Sequence, residues 1–151
     1  MSAELVFLMG QFEARFPTDR SYARNHMWAM PVEDRIRFGF SAYAVRLLQD
    51  VYFLDLTIRP GMKLTERQEI GSIESKKAES SLYCPIEGIV DRCNDQLLDD
   101  PSGINLDKYG DGWLFELRGS TEKLLSPAAY LEHLAGAWEV AQRTIKGQAN
   151  L

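Results

Sequence analysis

From about residue 25 to residue 118, short β-favouring runs alternate with turn chemistry at close intervals. Arg35-Ile36-Arg37-Phe38, Val51-Tyr52-Phe53-Leu54-Asp55-Leu56 and Trp113-Leu114-Phe115-Glu116-Leu117 are the clearest runs. Turn signals stand at Pro31 through Asp34, Gly39, Pro60-Gly61, Gly71, Pro85 through Gly88, and Gly110-Asp111-Gly112. Such spacing predicts a compact β-sandwich or barrel, because each run is long enough for one strand and each break reverses the chain. One segment departs from this pattern. Ser41 is a fair N-cap, and Ala44, Leu47 and Leu48 fall on one face, which predicts a short helix over 41–49 packed on the sheet. The chain then closes with a helix that Ser126 caps and Pro127 begins, where a missing N–H costs nothing. Leu131, Leu134, Ala135, Trp138, Ala141 or Gln142, and Ile145 recur at helical spacing as a core-facing stripe, and Gly147 is expected to end it. Residues 1–24 mix apolar and charged positions around Pro17 and are read as an extension of undetermined structure.

Composition narrows the function classes. The chain has 151 residues, 45% hydrophobic and 26% charged, which suits one globular domain. Its formal charge of -5 argues against nucleic acid, whose phosphates demand a basic surface. No apolar run approaches the roughly 20 residues of a bilayer span. Glu4 precedes the apolar Leu5–Met9 segment and Glu13 and Arg15 follow it, the reverse of an export signal, so the protein is expected in the cytoplasm. Cys84 and Cys93 have no supporting Cys/His cluster and are read as reduced, structural thiols; no metal site is expected. The only histidines are His26 and His133, and no Ser/His/Asp or Cys/His order stands out, so a catalyst is disfavoured.

The informative stretch runs from Glu69 to Val90. Ile70 and Ile73 on one side, and Leu82 with the Ile86–Val90 run on the other, flank a polar segment centred on Lys76 and Lys77. The residues alone predict a β-hairpin that lifts two lysines into solvent. By itself, that describes nothing more than a soluble hairpin tip.

Glu74-Ser75-Lys76-Lys77-Ala78, followed by Ser80, Tyr83 and Pro85, resembles the lipoylation motif of the glycine cleavage H protein family, usually Glu-Ser-Val-Lys-Ala. The likeness continues in order. His26-Met27-Trp28 resembles the family's His-Glu-Trp, Phe40 through Phe53 its helix and following strand, and Asn94 through Pro101 with Tyr109-Gly-Asp-Gly-Trp-Leu114 its Asn…Pro…Tyr-x-Asp-Gly-Trp-Leu segment. Roughly two thirds of the chain is covered. The resemblance implies a mainly β, lipoyl-domain-like barrel-sandwich hybrid over residues 25–151, with a short internal helix and a C-terminal helix. It implies covalent lipoate on Lys77, with Glu74, Ser75 and Ala78 as the recognition motif for a lipoate-protein ligase or lipoyl transferase. Trp28, Tyr109, Trp113 and the neighbouring glycines are expected to be framework. The chain would be a shuttle between the enzymes of a multienzyme system, and the cofactor would supply the chemistry.

The sequence also departs from the family. Acidic side chains there help hold a protonated aminomethyl group in a surface cleft, and the matching positions here are Met27 and Ser81, with His26 beside them. Losing two carboxylates removes charge-assisted hydrogen bonds of about 1.5–3 kcal/mol each. Glu79 is two residues from Ser81, and Lys76 adds positive charge where the family has an apolar residue. These changes incline the reading toward the H-protein-like lipoate-binding proteins of heterodisulfide-reductase-like sulfur oxidation, with the glycine cleavage H protein, or a module of this fold without lipoate, as alternatives. Gln49 stands where the family often has Gly, which predicts an uncomfortable left-handed helix end.

Overall fold

The structure, a computed structural model, describes residues 3–149, with side-chain surroundings through Arg143. The chain opens with β1 (Glu4–Met9) and β2 (Phe12–Pro17), a two-stranded antiparallel hairpin. Gly10 turns it at a φ of +65°, a conformation that glycine adopts without steric cost. Next come β3 (Ser21–Tyr22), β4 (Met27–Val32), β5 (Arg35–Phe40), α1 (Ala42–Leu48), β6 (Val51–Leu56), β7 (Lys63–Leu64), β8 (Glu69–Ser75), β9 (Glu79–Tyr83) and β10 (Gly88–Cys93). Two short helices follow, α2 (Asp95–Asp99) and α3 (Gly103–Leu106), and then β11 (Phe115–Gly119) and α4 (Pro127–Ala149).

All strand pairings are antiparallel. A six-stranded sheet has the order β3-β4-β5-β11-β10-β7, and a three-stranded sheet has the order β6-β8-β9. Their apolar faces share one core, in which Phe38, Phe115 and Leu117 of the larger sheet join Leu54, Ile70, Ile73 and Leu82 of the smaller. The mainly β, lipoyl-domain-like architecture with an internal and a C-terminal helix is therefore present as expected.

A second core lies under α4. Phe16 of β2, Tyr22 of β3, Trp28 of β4, Tyr43 of α1 and Tyr130 and Leu134 of α4 are all buried in it. Tyr22 and Tyr130 stack at 4.7 Å between ring centroids, and Phe16 meets both edge-on. Backbone bonds in both directions join Tyr22 to Leu125, tying the start of the chain to the segment before α4. Residues 3–24 thus form a hairpin and a short strand that close this core.

Several sequence expectations need correction. Gly39 and Gly71 lie inside β5 and β8 rather than in turns. The Trp28 indole covers Gly39, and the Asp55 carbonyl crowds Gly71, so close approach is the reason for glycine at both. α2 and α3 were not anticipated. Their five and four residues are too short to show a periodic stripe. Trp113 and Leu114 precede β11, whose hydrogen-bonded run begins at Phe115. In α1 the fully buried residues are Ala42, Tyr43 and Val45, while Ala44 and Leu48 of the expected face pack half-buried against the main core and Leu47 is exposed. Ser41 precedes α1 but makes no side-chain capping bond; its hydroxyl instead meets Tyr130 Oη at 2.9 Å. Ser126 does cap α4, accepting from Ala129 N at 3.2 Å. Tyr130 and Leu134 anchor that helix, Ala135 and Gln142 are exposed, and the helix continues through Gly147; the surroundings of Ile145 fall outside the described side chains.

Candidate functional site

The β8–β9 hairpin presents the two lysines as expected. Its tip is tight because Ser75 closes it three times. Ser75 N donates to Ala78 O at 2.8 Å, Ser75 Oγ donates to the same oxygen at 3.1 Å, and Ala78 N donates back to Ser75 Oγ at 3.1 Å. Ser75 is buried although polar, and these bonds satisfy it. Lys76 N is tied to Asp50 O at 2.9 Å, which anchors the tip to the start of β6. Among the described residues neither lysine side chain makes an ion pair, and both are exposed. Glu74 and Glu79 stand opposite each other one step down the ladder.

Beside the hairpin lies a cavity of about 260 Å³. Met27, Phe40, Ile73 and Leu82 form its apolar floor, and Ala44, Leu47 and Leu48 of α1 form one wall. The stripe that packs Ala44 and Leu48 against the core thus also walls the groove. His26, Ser80, Ser81 and Tyr83 complete the rim. Ser81 is four residues from Lys77, at most about 13 Å along the chain, within reach of a lysine extended by an eight-carbon acyl chain. An exposed lysine, a rigid tip and an adjoining apolar groove fit a lipoyl-lysine.

The structure thus brings His26, Met27 and Ser81 to one groove, with Glu74, Ser75, Lys77 and Ala78 at the neighbouring tip. It divides the motif by environment, since Ser75 is buried in the turn while Lys77 and Ala78 face solvent. Met27 is only 2% exposed, so a carboxylate there would be drawn into the edge of the core. Glu79 shares the Ser81 face of its strand but does not line the groove.

His26 is held by residues that the sequence did not point to. Its Nδ1 lies 2.9 Å from Tyr130 Oη, its ring sits 4.6 Å from Tyr43, and it stacks on His133 at 5.6 Å. Burial, and then the neighbouring His133, lower its pKa to about 4, so the ring is neutral at pH 7. Among the groove-lining residues there is then no ionised side chain. Tyr43 and Tyr130 read only as helix positions in sequence, since the partner of each is distant in the chain.

Of the expected framework residues, Trp28 and Tyr109 are tied into the fold, and Trp113 is half-exposed. Trp28 Nε1 donates to Lys108 O at 2.8 Å, and Tyr109 Oη donates to Arg15 O at 2.7 Å while accepting from Ala42 N at 2.9 Å. Cys84 and Cys93 are free thiols, pushed up to about 11 by burial. No group of three or more potential metal ligands occurs among the described residues, and none of their helices is long and apolar enough to cross a membrane.

A two-sheet β fold that raises a lysine on a stapled hairpin beside an apolar groove defines a carrier of the lipoyl type. The family model described as Glycine cleavage H-protein matches residues 20–137. The chain belongs to the glycine cleavage H-protein family, whose members carry covalently attached lipoate. A probable glycine cleavage system H protein of Haloarcula marismortui is 37% identical over 122 residues, 78% of this chain and 95% of that protein. A glycine cleavage system H protein of Myxococcus xanthus is 40% identical over 118 residues, 76% of this chain and 91% of that protein. The crystal structure of a glycine cleavage system H protein from Mycobacterium marinum superposes with a TM-score of 0.71 at 31% identity, covering 80% of this chain and 99% of that one.

Proposed function

We propose that this protein is the lipoyl carrier of a glycine cleavage system and that Lys77 bears the lipoyl group. The observation that carries the assignment is the tip itself: Lys77 is exposed, free of ion pairs, and held by the Ser75 staple next to an apolar groove. In this reading Ser75 and Ala78 set the shape that a lipoate-protein ligase or lipoyl transferase recognises, and half-exposed Glu74 supplies a charge for it to read. The lipoyl group, once attached, supplies redox and group-transfer chemistry. The chain's own residues hold the lysine clear of the body and offer the groove as shelter. Residues 25–151 form the carrier domain and residues 1–24 an extension, of which β1, Phe16 and Tyr22 brace α4. The two free thiols accord with work in the cytoplasm.

The names of the relatives support glycine cleavage, and the inclination toward sulfur oxidation finds no support among them. One observation favours that second reading. With Met27 and Ser81 at the groove and His26 neutral, no anionic side chain among the lining residues faces a cation.

Intact-mass measurement of protein made in a lipoylating host tests the assignment. One octanoyl or lipoyl addition is expected, lost in Lys77→Arg and kept in Lys76→Arg. Addition at Lys76 would move the site by one residue, and an unmodified mass beside a modified control carrier would leave an interaction module of this fold. Loading of the lipoylated protein by a glycine decarboxylase separates the cargoes: robust aminomethyl acceptance supports glycine cleavage, and its absence supports sulfur.

A further inference from the structure

On the outer face of the six-stranded sheet, one row of side chains crosses three strands. Arg37 of β5 and Arg92 of β10 are both register partners of Glu116 on β11. The Glu116 carboxylate is 0% exposed, yet it takes three guanidinium Nε donors: Arg35 at 2.9 Å, Arg37 at 2.9 Å and Arg92 at 2.5 Å. Burial alone would raise this carboxyl, but the three arginines together hold it below the usual range.

One arginine would suffice to neutralise one carboxylate, so the cluster is over-provided with cations. The excess is not spread evenly. Arg35 spends an outer nitrogen on Glu33 at 3.3 Å and has Asp91 3.5 Å from its Nε, and Arg118 close by is engaged with Asp34 and Asp91. Arg37 and Arg92 bind Glu116 through Nε, and among the described residues their terminal nitrogens have no partner. Both guanidinium groups lie over the Trp113 ring, at 4.5 and 5.1 Å from its centroid. Asn94 fixes the backbone of Trp113 by donating to its carbonyl at 2.8 Å. Two guanidinium forks are thereby immobilised through Nε and an aromatic face, with their remaining donors free. Holding an arginine in advance removes much of the entropy lost when it binds a carboxylate.

We propose that Arg37, Trp113 and Arg92 form a docking surface for a carboxylate-bearing segment of a partner protein. Nucleic acid is disfavoured by the net charge of -5. An acidic partner would be repelled by most of this surface and accepted at the arginine pair, which would fix how it approaches. A tryptophan flanked by arginines has the composition of an interface hot spot. The surface lies apart from the hairpin tip in composition and in sheet, so it can hold a partner while the arm is free to move.

The test is a titration of the full chain with hexaglutamate, followed by the NMR signals of the Trp113 indole N–H and of the Arg37 and Arg92 Nε–H. Saturable shifts are expected at all three. Arg37→Gln and Arg92→Gln should each weaken binding about tenfold, and 0.5 M salt should weaken it similarly. If Arg92→Gln fails to fold, Arg92→Lys keeps a cation beside Glu116 while removing the terminal fork, and is expected to weaken binding in the same direction. Shifts that are absent, or that survive both variants, overturn the proposal. An equal response to inorganic phosphate overturns it in favour of a small-anion site. Self-association seen by sedimentation and lost in Arg37→Gln overturns it in favour of contact between copies of this chain. The same titration on Lys77→Arg protein is expected to give the same shifts, so its outcome is independent of lipoylation.

Discussion

Between α1 and β9 the groove is lined without an ionised side chain, whereas across β5, β11 and β10 three arginines converge on one buried carboxylate. Both regions bury a titratable group, and they treat it in opposite ways. His26 has tyrosines and another histidine for neighbours, so desolvation prevails and the ring gives up its proton. Glu116 is more deeply buried, yet it stays ionised because three guanidiniums repay the loss of water. Burial thus does not decide charge; the partners inside do. The groove is left suited to a hydrocarbon arm, and the sheet face to a charged surface.

The contrast can be broken most severely at Glu116. Glu116→Ala leaves three converging arginines without their anion and is expected to cost about 3–5 kcal/mol in urea unfolding. Lipoylation of Lys77 in the remaining folded protein should be unchanged. A loss under 1 kcal/mol would mean that the cluster is held by the sheet and Trp113 rather than by the carboxylate.

The histidine side is tested by pH. A histidine pKa lowered to about 4 in the fold, against 6.5 unfolded, gives stability that is complete above pH 6.5 and is lost as pH falls toward 4. With allowance for the solvent that reaches the groove, the loss should be about 2 kcal/mol. In His26→Asn, which tolerates the positive φ of 75° at this position, the slope between pH 6.5 and 4.5 should vanish. Glu116 acts in a separate, lower window, since its depressed pKa is felt only as pH falls below the ordinary carboxylate range.

Tyr130→Phe sharpens the comparison further by removing the hydroxyl shared by His26 and Ser41. Two buried polar groups lose a partner, and a cost of about 1–2 kcal/mol is expected in thermal or urea melts, with the His26 pKa moving by NMR titration. The smallest effect is a gain. Gln49 ends α1 at a positive φ of 60°, but with ψ −135° rather than in the left-handed helical conformation the sequence suggested, and Asn105 Nδ2 donates to its carbonyl at 2.7 Å. Gln49→Gly should stabilise by about 1 kcal/mol, leaving both the groove and the arginine face unaltered.

Much of the site could be read from the chain because it is local. Glu74 through Ala78 forms a single turn, and the apolar Ile70, Ile73 and Leu82 mark the two strands of its hairpin. The α1 stripe was legible as helix but not as groove wall, since a half-exposed apolar face and a core face share the same period. Gly39 and Gly71 looked like turns because glycine marks a reversal and a close backbone approach with the same letter. The arginine face was invisible for another reason: Arg37, Arg92 and Glu116 come from three strands, with Trp113 just before β11, and only sheet order makes the arginines neighbours.

The sequence by itself determined the strands, the lysine turn, the closing helix and the family, because periodicity, turn residues and an ordered motif are properties of nearby residues. Tertiary structure alone decided which face of α1 borders the groove, that His26 is neutral while Glu116 is charged, and which two arginines keep their donors free. Those outcomes depend on desolvation and on partners up to 104 residues apart in the chain, as with His26 and Tyr130, and no local pattern encodes them.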